Sequence, residues 1–396
     1  MIVVLADDLT GAAELGGLAL RYRLNVEITT KLYPPSGADL LIIATNTRSL
    51  PEAEARSVIA SIGDELLKRK PRRLFVKIDS VLRGHVLTEI NTLKKRLGLK
   101  RALLVPANPS LGRTIADGTY FLNGRPVHLS SFSEDPEFPV HTSSVAGMLG
   151  AGEGEVQVLK SNDEMPEEGI VVGEVEERSD LEAWGRRLDA DTLAAGAAEF
   201  FDVVLALENN LPHPRQPAGQ HAEPGSAFPQ PEQRPALMIA GSSFQKKKDI
   251  KAGSFAISYI TPVQMQHQAA AESWIAEVTA NLERYGRAVI AIDPDISREG
   301  IQAVAIRSFV ATMAARIADR TAIKELLVEG GATAESVLRE LGMDTLYPSA
   351  ELAPGVIRMR VKEAADRLVT LKPGSYEWPS FIFSEEAPEK ERTAGC

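Results

Sequence analysis

The stretch Ile2-Val3-Val4-Leu5-Ala6-Asp7-Asp8-Leu9-Thr10-Gly11-Ala12 holds the plan of the whole chain. Its apolar, mostly branched start suits a short buried strand, two aspartates and a Thr-Gly pair end the run, and the small residues from Ala12 to Tyr22 suit a helix. The same order recurs further out. Leu40 to Ala44 lead into Thr45-Asn46-Thr47-Arg48 and a helix after Pro51. Leu74 to Ile78 lead through Asp79-Ser80-Val81-Leu82-Arg83-Gly84 into a helix whose apolar positions Val86, Ile90, Leu93 and Leu97 fall at helical spacing. Such alternation predicts an α/β fold, a parallel sheet with helices on both faces. Ligands of these sheets bind beyond the carboxyl ends of the strands, so the three polar turns are expected along one ligand-bearing edge.

Between Pro212 and Pro235 the chain carries seven of its 24 prolines and no Val, Ile, Leu or Met, a composition that builds no core. Beyond it the theme returns: Ala236–Ala240 runs into Gly241-Ser242-Ser243, Ala288–Ile292 into Asp293-Pro294-Asp295, and Glu325–Val328 into Gly330-Gly331. The expected organisation is therefore an N-terminal domain over 1–206, a Pro-rich linker over 207–235 and a C-terminal domain over 236–396. The tail after Ser384 reads as polar and loose.

Composition narrows the function. The net charge of −10 over 396 residues argues against a coat for nucleic acid or for an anionic membrane. No stretch reaches the ~18–20 uninterrupted apolar residues of a membrane span. The first residues lack the basic flank of a signal peptide. A single cysteine, Cys396, and the absence of any zinc-like Cys/His spacing fit a reducing cytoplasm. A homo-oligomer stays open.

Asp7 and Asp8 at a strand end can accept a substrate hydroxyl's hydrogen bond, take its proton or hold hydrated magnesium; equally, one of them can simply cap the next helix. A phosphatase that pairs carboxylates two residues apart is disfavoured by Leu9. In the cluster Lys77 to Gly84, Lys77 and Arg83 offer opposite charge to a carboxylate, and Asp79 and Ser80 offer hydrogen bonds to hydroxyls; an internal Asp–Arg pair with a Ser cap explains the same residues. Arg48 adds a cation at the second turn, and Arg113, in the turn-rich run Pro106 to Thr114, is a further candidate. The edge suits a small polyhydroxylated acid.

No Gly-Lys dipeptide occurs, so there is no Walker A loop, and no Gly-x-Gly-x-x-Gly follows a strand. Gly241-Ser242-Ser243, Gly330-Gly331-Ala332-Thr333 and Lys372-Pro373-Gly374-Ser375 instead offer turns where backbone can approach a phosphate.

Together, Ala6 to Ala12, Lys77 to Gly84, Pro106 to Thr114, Asp117-Gly118-Thr119-Tyr120, Asn123-Gly124-Arg125-Pro126, Asp135-Pro136 and His141-Thr142-Ser143 resemble, in order and spacing, the N-terminal domain of the four-carbon acid sugar kinases. The three glycine turns resemble that family's nucleotide-binding domain. The resemblance implies ATP- and Mg2+-dependent phosphorylation of the terminal hydroxyl of threonate, erythronate or a 3-oxo-tetronate, on two α/β domains with largely parallel sheets and an interdomain active-site cleft. Arg48, Lys77 and Arg83 are then expected to neutralise the substrate carboxylate. Thr10, Asp79 and Ser80 would fix its hydroxyls, with Asp7 and Arg113 beside them, and Asp8 would orient or deprotonate the attacking hydroxyl. Gly241, Ser242, Ser243, Gly330, Gly331, Thr333 and Gly374 would hold ATP. Ala332, where the family usually has an acid, and Tyr376-Glu377-Trp378, where it usually has Phe-Gly, leave open a non-catalytic sugar-acid sensor with a degenerate ATP site.

Overall fold

The computed structural model describes residues 1–135, 137–209, 235–241, 256–293, 296 and 300–383. Two compact units divide the chain, Met1–Arg215 and Gln216–Cys396.

The first unit begins with β1 (Ile2–Ala6), α1 (Leu9–Leu20), β2 (Val26–Thr29), β3 (Leu40–Ala44), α2 (Glu52–Arg69), β4 (Arg73–Lys77), α3 (Val86–Leu97) and β5 (Arg101–Val105). A small sheet of β6 (Arg113–Ala116), β7 (Thr119–Leu122) and β8 (Arg125–Pro126) follows. Then come α4 (Val145–Met148), β9 (Gln157–Leu159), β10 (Gly169–Gly173), α5 (Arg178–Gly185), β11 (Thr192–Gly196) and α6 (Ala198–Asn209). The main sheet runs β2-β3-β1-β4-β11-β5-β10-β9, every pair parallel. Strands covered on both sides read as unbroken apolar runs, and β1, β3 and β11 are buried at every residue. Helix α6 packs on α1 and α5, while α2 packs on α3. Phe75 of β4 meets Phe200 and Phe201 of α6 at ring-centroid distances of 6.1 and 5.0 Å, aromatic packing worth about 1 kcal/mol per pair beyond area burial.

Strand β2 and the hairpins β6–β7–β8 are among the elements beyond the sequence reading. Strand β2 escapes it because Glu27 interrupts a run of only four residues. The hairpins β6–β7–β8 turn at Asp117-Gly118 and Asn123-Gly124, whose φ values of 46° and 70°, and 50° and 74°, are those that tight hairpin turns demand. Helix α6 extends to Asn209, three residues into the expected linker. Residues 210–234 of that linker, Ser242, Ser243, Pro294, Asp295 and residues 384–396 lie outside the described residues.

The second unit comprises β12 (Ala236–Ala240), β13 (Ala256–Ile260), α7 (Pro262–Gln266), α8 (Gln268–Tyr285), β14 (Arg287–Ile292), α9 (Ala303–Ala318), β15 (Glu325–Glu329), α10 (Gly331–Glu340), β16 (Thr345–Ala353), β17 (Val356–Val361) and β18 (Leu368–Lys372). Its order is β13-β14-β12-β15-β18-β17-β16, parallel through β18 and antiparallel thereafter. Among the described residues no helix is long and apolar enough to cross a membrane.

Candidate active site

In the first unit β1 stands between β3 and β4, where the chain stops building the sheet on one side and begins on the other. Such a switch point opens a crevice beyond the carboxyl ends of the strands. Ala6 is in register with both Ala44 and Lys77, so the turns after β1, β3 and β4 start level.

Arg48 ties the three turns together. Its Nε donates to Asp7 Oδ2 at 2.8 Å and its Nη2 to Asp7 Oδ1 at 2.6 Å; Nη1 donates to Asp8 Oδ2 at 3.2 Å and lies 3.6 Å from Asp79 Oδ1. The stem of Arg48 passes against Gly84, where φ is 87° and a Cβ would fall 2.9 Å from Arg48 Cγ, so only glycine serves there. Burial pushes the Asp7 carboxyl up, against the pull of Arg48.

Asp8 does cap α1: its Oδ1 accepts from the Gly11 amide at 2.8 Å. Its Oδ2 accepts from the Thr10 hydroxyl at 2.7 Å. Although burial pushes it upward, Arg48, Lys77, Thr10 and the Gly11 amide together hold Asp8 below the ordinary carboxylate range. At 16% side-chain exposure it is more open than Asp7 or Asp79, each at 7%. Lys77 donates from Nζ to the Ile78 carbonyl at 3.0 Å and sits 3.7 Å from Glu14 Oε2.

The turn after β4 is wound around Asp79. Its Oδ2 accepts from the Val81 amide at 3.2 Å, the Arg83 amide at 3.1 Å and Arg83 Nε at 2.8 Å, while Oδ1 accepts from Arg83 Nη2 at 2.7 Å. These bonds hold Leu82 at φ 60°, a left-handed conformation that costs a leucine about 1 kcal/mol or more. Burial opposes the charge on Asp79, yet Arg83 and Arg48 hold the carboxyl far below its usual range. Arg83 also donates from Nη1 to Asp135 Oδ2 at 2.7 Å.

Arg113 differs from the other cations. It opens β6, is 9% exposed, and donates from Nη1 to Ser80 Oγ at 2.6 Å. Among the described residues no acidic side chain pairs with it, and its Nε has no hydrogen-bond partner. The ring of Phe132 lies 5.5 Å from its guanidinium and 5.4 Å from that of Arg83, so one ring seats both cations. Tyr120 donates its hydroxyl to the Ser80 carbonyl beneath.

All nine expected sugar-acid residues, Asp7, Asp8, Thr10, Arg48, Lys77, Asp79, Ser80, Arg83 and Arg113, thus stand along this edge. The sequence reading missed Phe132, the hydroxyl of Tyr120, and Glu89. Glu89 lies in the first turn of α3, where an acid is ordinary for the helix dipole, so nothing local marks it. Yet it is 6% exposed and its Oε1 has no partner among the described residues; burial first, and then the Asp7 charge, push it up to about 8.

In the second unit β12, β15 and β18 are adjacent and parallel, so Gly241, Gly330-Gly331 and Pro373-Gly374 sit side by side at their carboxyl ends. Gly330 precedes α10 at φ 90°, and its amide donates to the Lys372 carbonyl at 2.9 Å. Gly241 abuts α10: a Cβ there would lie 2.4 Å from Thr333 Oγ1. Lys372 is fully buried against Glu329.

Comparison with known proteins now bears on this pair of edges. The family model described as a sugar-binding N-terminal domain matches residues 2–202, just over half the chain, and one described as a nucleotide-binding C-terminal domain matches 247–376. The chain belongs to the four-carbon acid sugar kinase family. Among curated members of this kinase family, a D-threonate kinase of Salmonella typhimurium is 29% identical over 254 residues, 61% of this chain and 57% of that one. A 3-oxo-tetronate kinase of Methylobacterium radiotolerans is 24% identical over 95% of this chain and 96% of its own. A solved structure from Salmonella typhimurium LT2 shares the fold at a TM-score of 0.74 and 19% identity, covering 96% of this chain and 97% of that one. The acid edge of this kinase-family chain lies in the segment matched as sugar-binding. The Gly330 and Gly374 turns lie in the segment matched as nucleotide-binding, and Gly241 just precedes it.

Proposed function

We propose that this chain transfers the γ-phosphoryl group of ATP to the terminal hydroxyl of a four-carbon sugar acid of the threonate, erythronate or 3-oxo-tetronate type. The observation that carries the substrate class is Arg113, a nine-tenths-buried cation with an unused Nε–H and, among the described residues, no acid opposite it. Such a group is stable beside an anion and costly without one, and a substrate carboxylate supplies the missing charge. Arg48 and Arg83 already face Asp7, Asp8, Asp79 and Asp135, so in this reading they shape the edge and Arg113 grips the carboxylate. This reading assigns the substrate hydroxyls to Ser80 and Thr10.

Asp8 orients the attacking hydroxyl. Held below the ordinary range, it is a strong hydrogen-bond acceptor at neutral pH and a weak base, which suits a phosphoryl transfer that depends on positioning more than on proton removal. The turns at Gly241, Gly330-Gly331 and Gly374, with the amino end of α10 carrying Thr333, are the groups this reading assigns to ATP. Among the described residues no three acids, histidines or cysteines are grouped to hold a metal, and Asp7, Asp8, Asp79 and Asp135 are engaged by Arg48 and Arg83. Magnesium therefore enters this reading as the counter-ion of the ATP phosphates, its shell completed by water. A reducing cytoplasm suits a chain whose one cysteine is Cys396.

The test is an ADP-release assay with ATP and magnesium over the threonates, erythronates and 3-oxo-tetronates. Turnover on at least one of them, lost in Arg113→Gln at the same acid concentration, supports the reading. No turnover on any of them overturns it.

A further inference from the structure

Lys372 is the last residue of β18 and fully buried, in register with the equally buried Glu329 of β15. Its ammonium donates to the Pro373 carbonyl at 2.9 Å and to the Tyr376 carbonyl at 2.6 Å, and lies 3.3 Å from Glu329 Oε2. An ammonium has three N–H donors, and these three acceptors occupy them all. A phosphate could reach this lysine only by displacing one of them. The far side is closed by Trp378, whose Nε1 donates to Glu329 Oε2 at 3.2 Å and whose ring lies 5.6 Å from the ammonium. The backbone of Lys372 does a second job, since its carbonyl accepts from the Gly330 amide at 2.9 Å. One residue thus ties down both glycine turns, one through its carbonyl and the other through its side chain. The residues that depart from the family's usual ending belong to the same construction: Tyr376 lies over Gly355, where a Cβ would fall 2.3 Å from its ring, and Trp378 covers the ion pair.

We propose that Lys372, with Glu329 and Trp378, is a positioning device that holds the Pro373–Tyr376 turn and the Gly330 amide in phosphate-binding geometry without touching the phosphate, and that Tyr376-Glu377-Trp378 preserves nucleotide binding. This rests on reading the second unit as the ATP-binding one. A lysine held by backbone carbonyls and a carboxylate contributes through the shape of the turn, and the side chain that closes the cage is a tryptophan because only an indole offers an N–H at the edge of so large an apolar cover.

The test uses the full chain and ADP as the probe, measured by titration calorimetry at several salt concentrations. Lys372→Met alone leaves Glu329 charged and buried, which can unfold the unit. The informative variants are therefore Lys372→Met with Glu329→Gln, which removes both charges, and Trp378→Phe, which keeps both. The double variant should bind ADP about ten- to a hundredfold more weakly and raise the KM for ATP alike, with the KM for the sugar acid unchanged. The salt dependence of its ADP affinity should match that of the unaltered chain, because no ionic contact with phosphate is lost. Trp378→Phe should show a smaller loss of the same kind. An unchanged ADP affinity in the double variant overturns the proposal, as does a flattened salt dependence, which would mean that Lys372 meets the phosphate. If the unaltered chain binds no ADP and forms none from ATP, the nucleotide reading itself fails and takes this proposal with it.

Discussion

Replacing Glu89 by glutamine isolates the energetic cost of the acid cluster at the edge of the first unit. Glu89 is 6% exposed and its carboxyl is pushed from an ordinary 4.5 up to about 8, by burial first and by the Asp7 charge second. The sign follows from proton binding. Below about pH 4.5 the carboxyl is neutral in both folded and unfolded chains, so it carries no penalty. As pH rises the unfolded chain releases its proton and the folded one keeps it, so stability falls until the folded carboxyl also ionises near 8. The slope is about 1.4 kcal/mol per pH unit and the full loss about 5 kcal/mol. Glutamine is neutral throughout and nearly the same shape, so Glu89→Gln should change stability little at pH 4 and become progressively stabilising towards pH 9. Urea unfolding followed through Trp184, the tryptophan of the first unit, in a background with Trp274 and Trp378 replaced by phenylalanine, gives the difference at each pH. A stability difference that stays constant from pH 4 to 9 would refute the reasoning, because it would mean that Glu89 titrates alike in both states.

Four further outcomes follow from the same geometry. Arg113→Gln should raise the KM for the sugar acid about thirtyfold or more and leave that for ATP unchanged, since losing one side of a buried charged contact costs about 2–5 kcal/mol; kinetics with each substrate varied in turn decide this. Asp8→Asn keeps a helix cap of equal rank but loses the charge that faces Arg48 and Lys77, so the melting temperature should fall modestly while kcat falls by about a hundredfold or more. On the proposed reading the ionised Asp8 does the work, and since it is held below the ordinary carboxylate range, kcat/KM of the unaltered chain should stay level as pH falls through that range and decline only beneath it. Gly241→Ala places a methyl 2.4 Å from Thr333 Oγ1, so thermal unfolding should show the second unit destabilised by about 1–3 kcal/mol and ADP binding weakened with it.

Most of the fold was legible because its determinants are local. Apolar runs such as Leu40–Ala44 and Ala236–Ala240 stop where the strands stop, and the helical spacing of Val86, Ile90 and Leu93 puts all three in the core. The hairpins of 113–126 were also legible in principle, through Asp117-Gly118 and Asn123-Gly124, and were not read as such. Strand β2 was not, because Val26-Glu27-Ile28-Thr29 carries an acid whose burial only the surrounding chain explains. At the site, residue type and position marked the nine edge residues. Their division of labour was invisible, since sequence cannot say that Asp8 caps α1 or that Arg48 is gripped by Asp7.

By itself, then, the sequence determined two α/β halves, the strand edges that bear the polar turns, and the family, because periodicity and turn chemistry act over a few residues. Only the tertiary structure decided which charges cancel. Arg48 and Asp7 are 41 residues apart, Arg83 and Asp135 are 52 apart, and Arg113 and Ser80 are 33 apart, and whether a buried cation has a counter-ion depends on a few ångströms between such distant points. Electrostatic energy at low dielectric is set by that distance and not by sequence separation, which is why Arg113 stands out from Arg48 and Arg83, as a cation with no acid beside it among the described residues, only once the chain is folded.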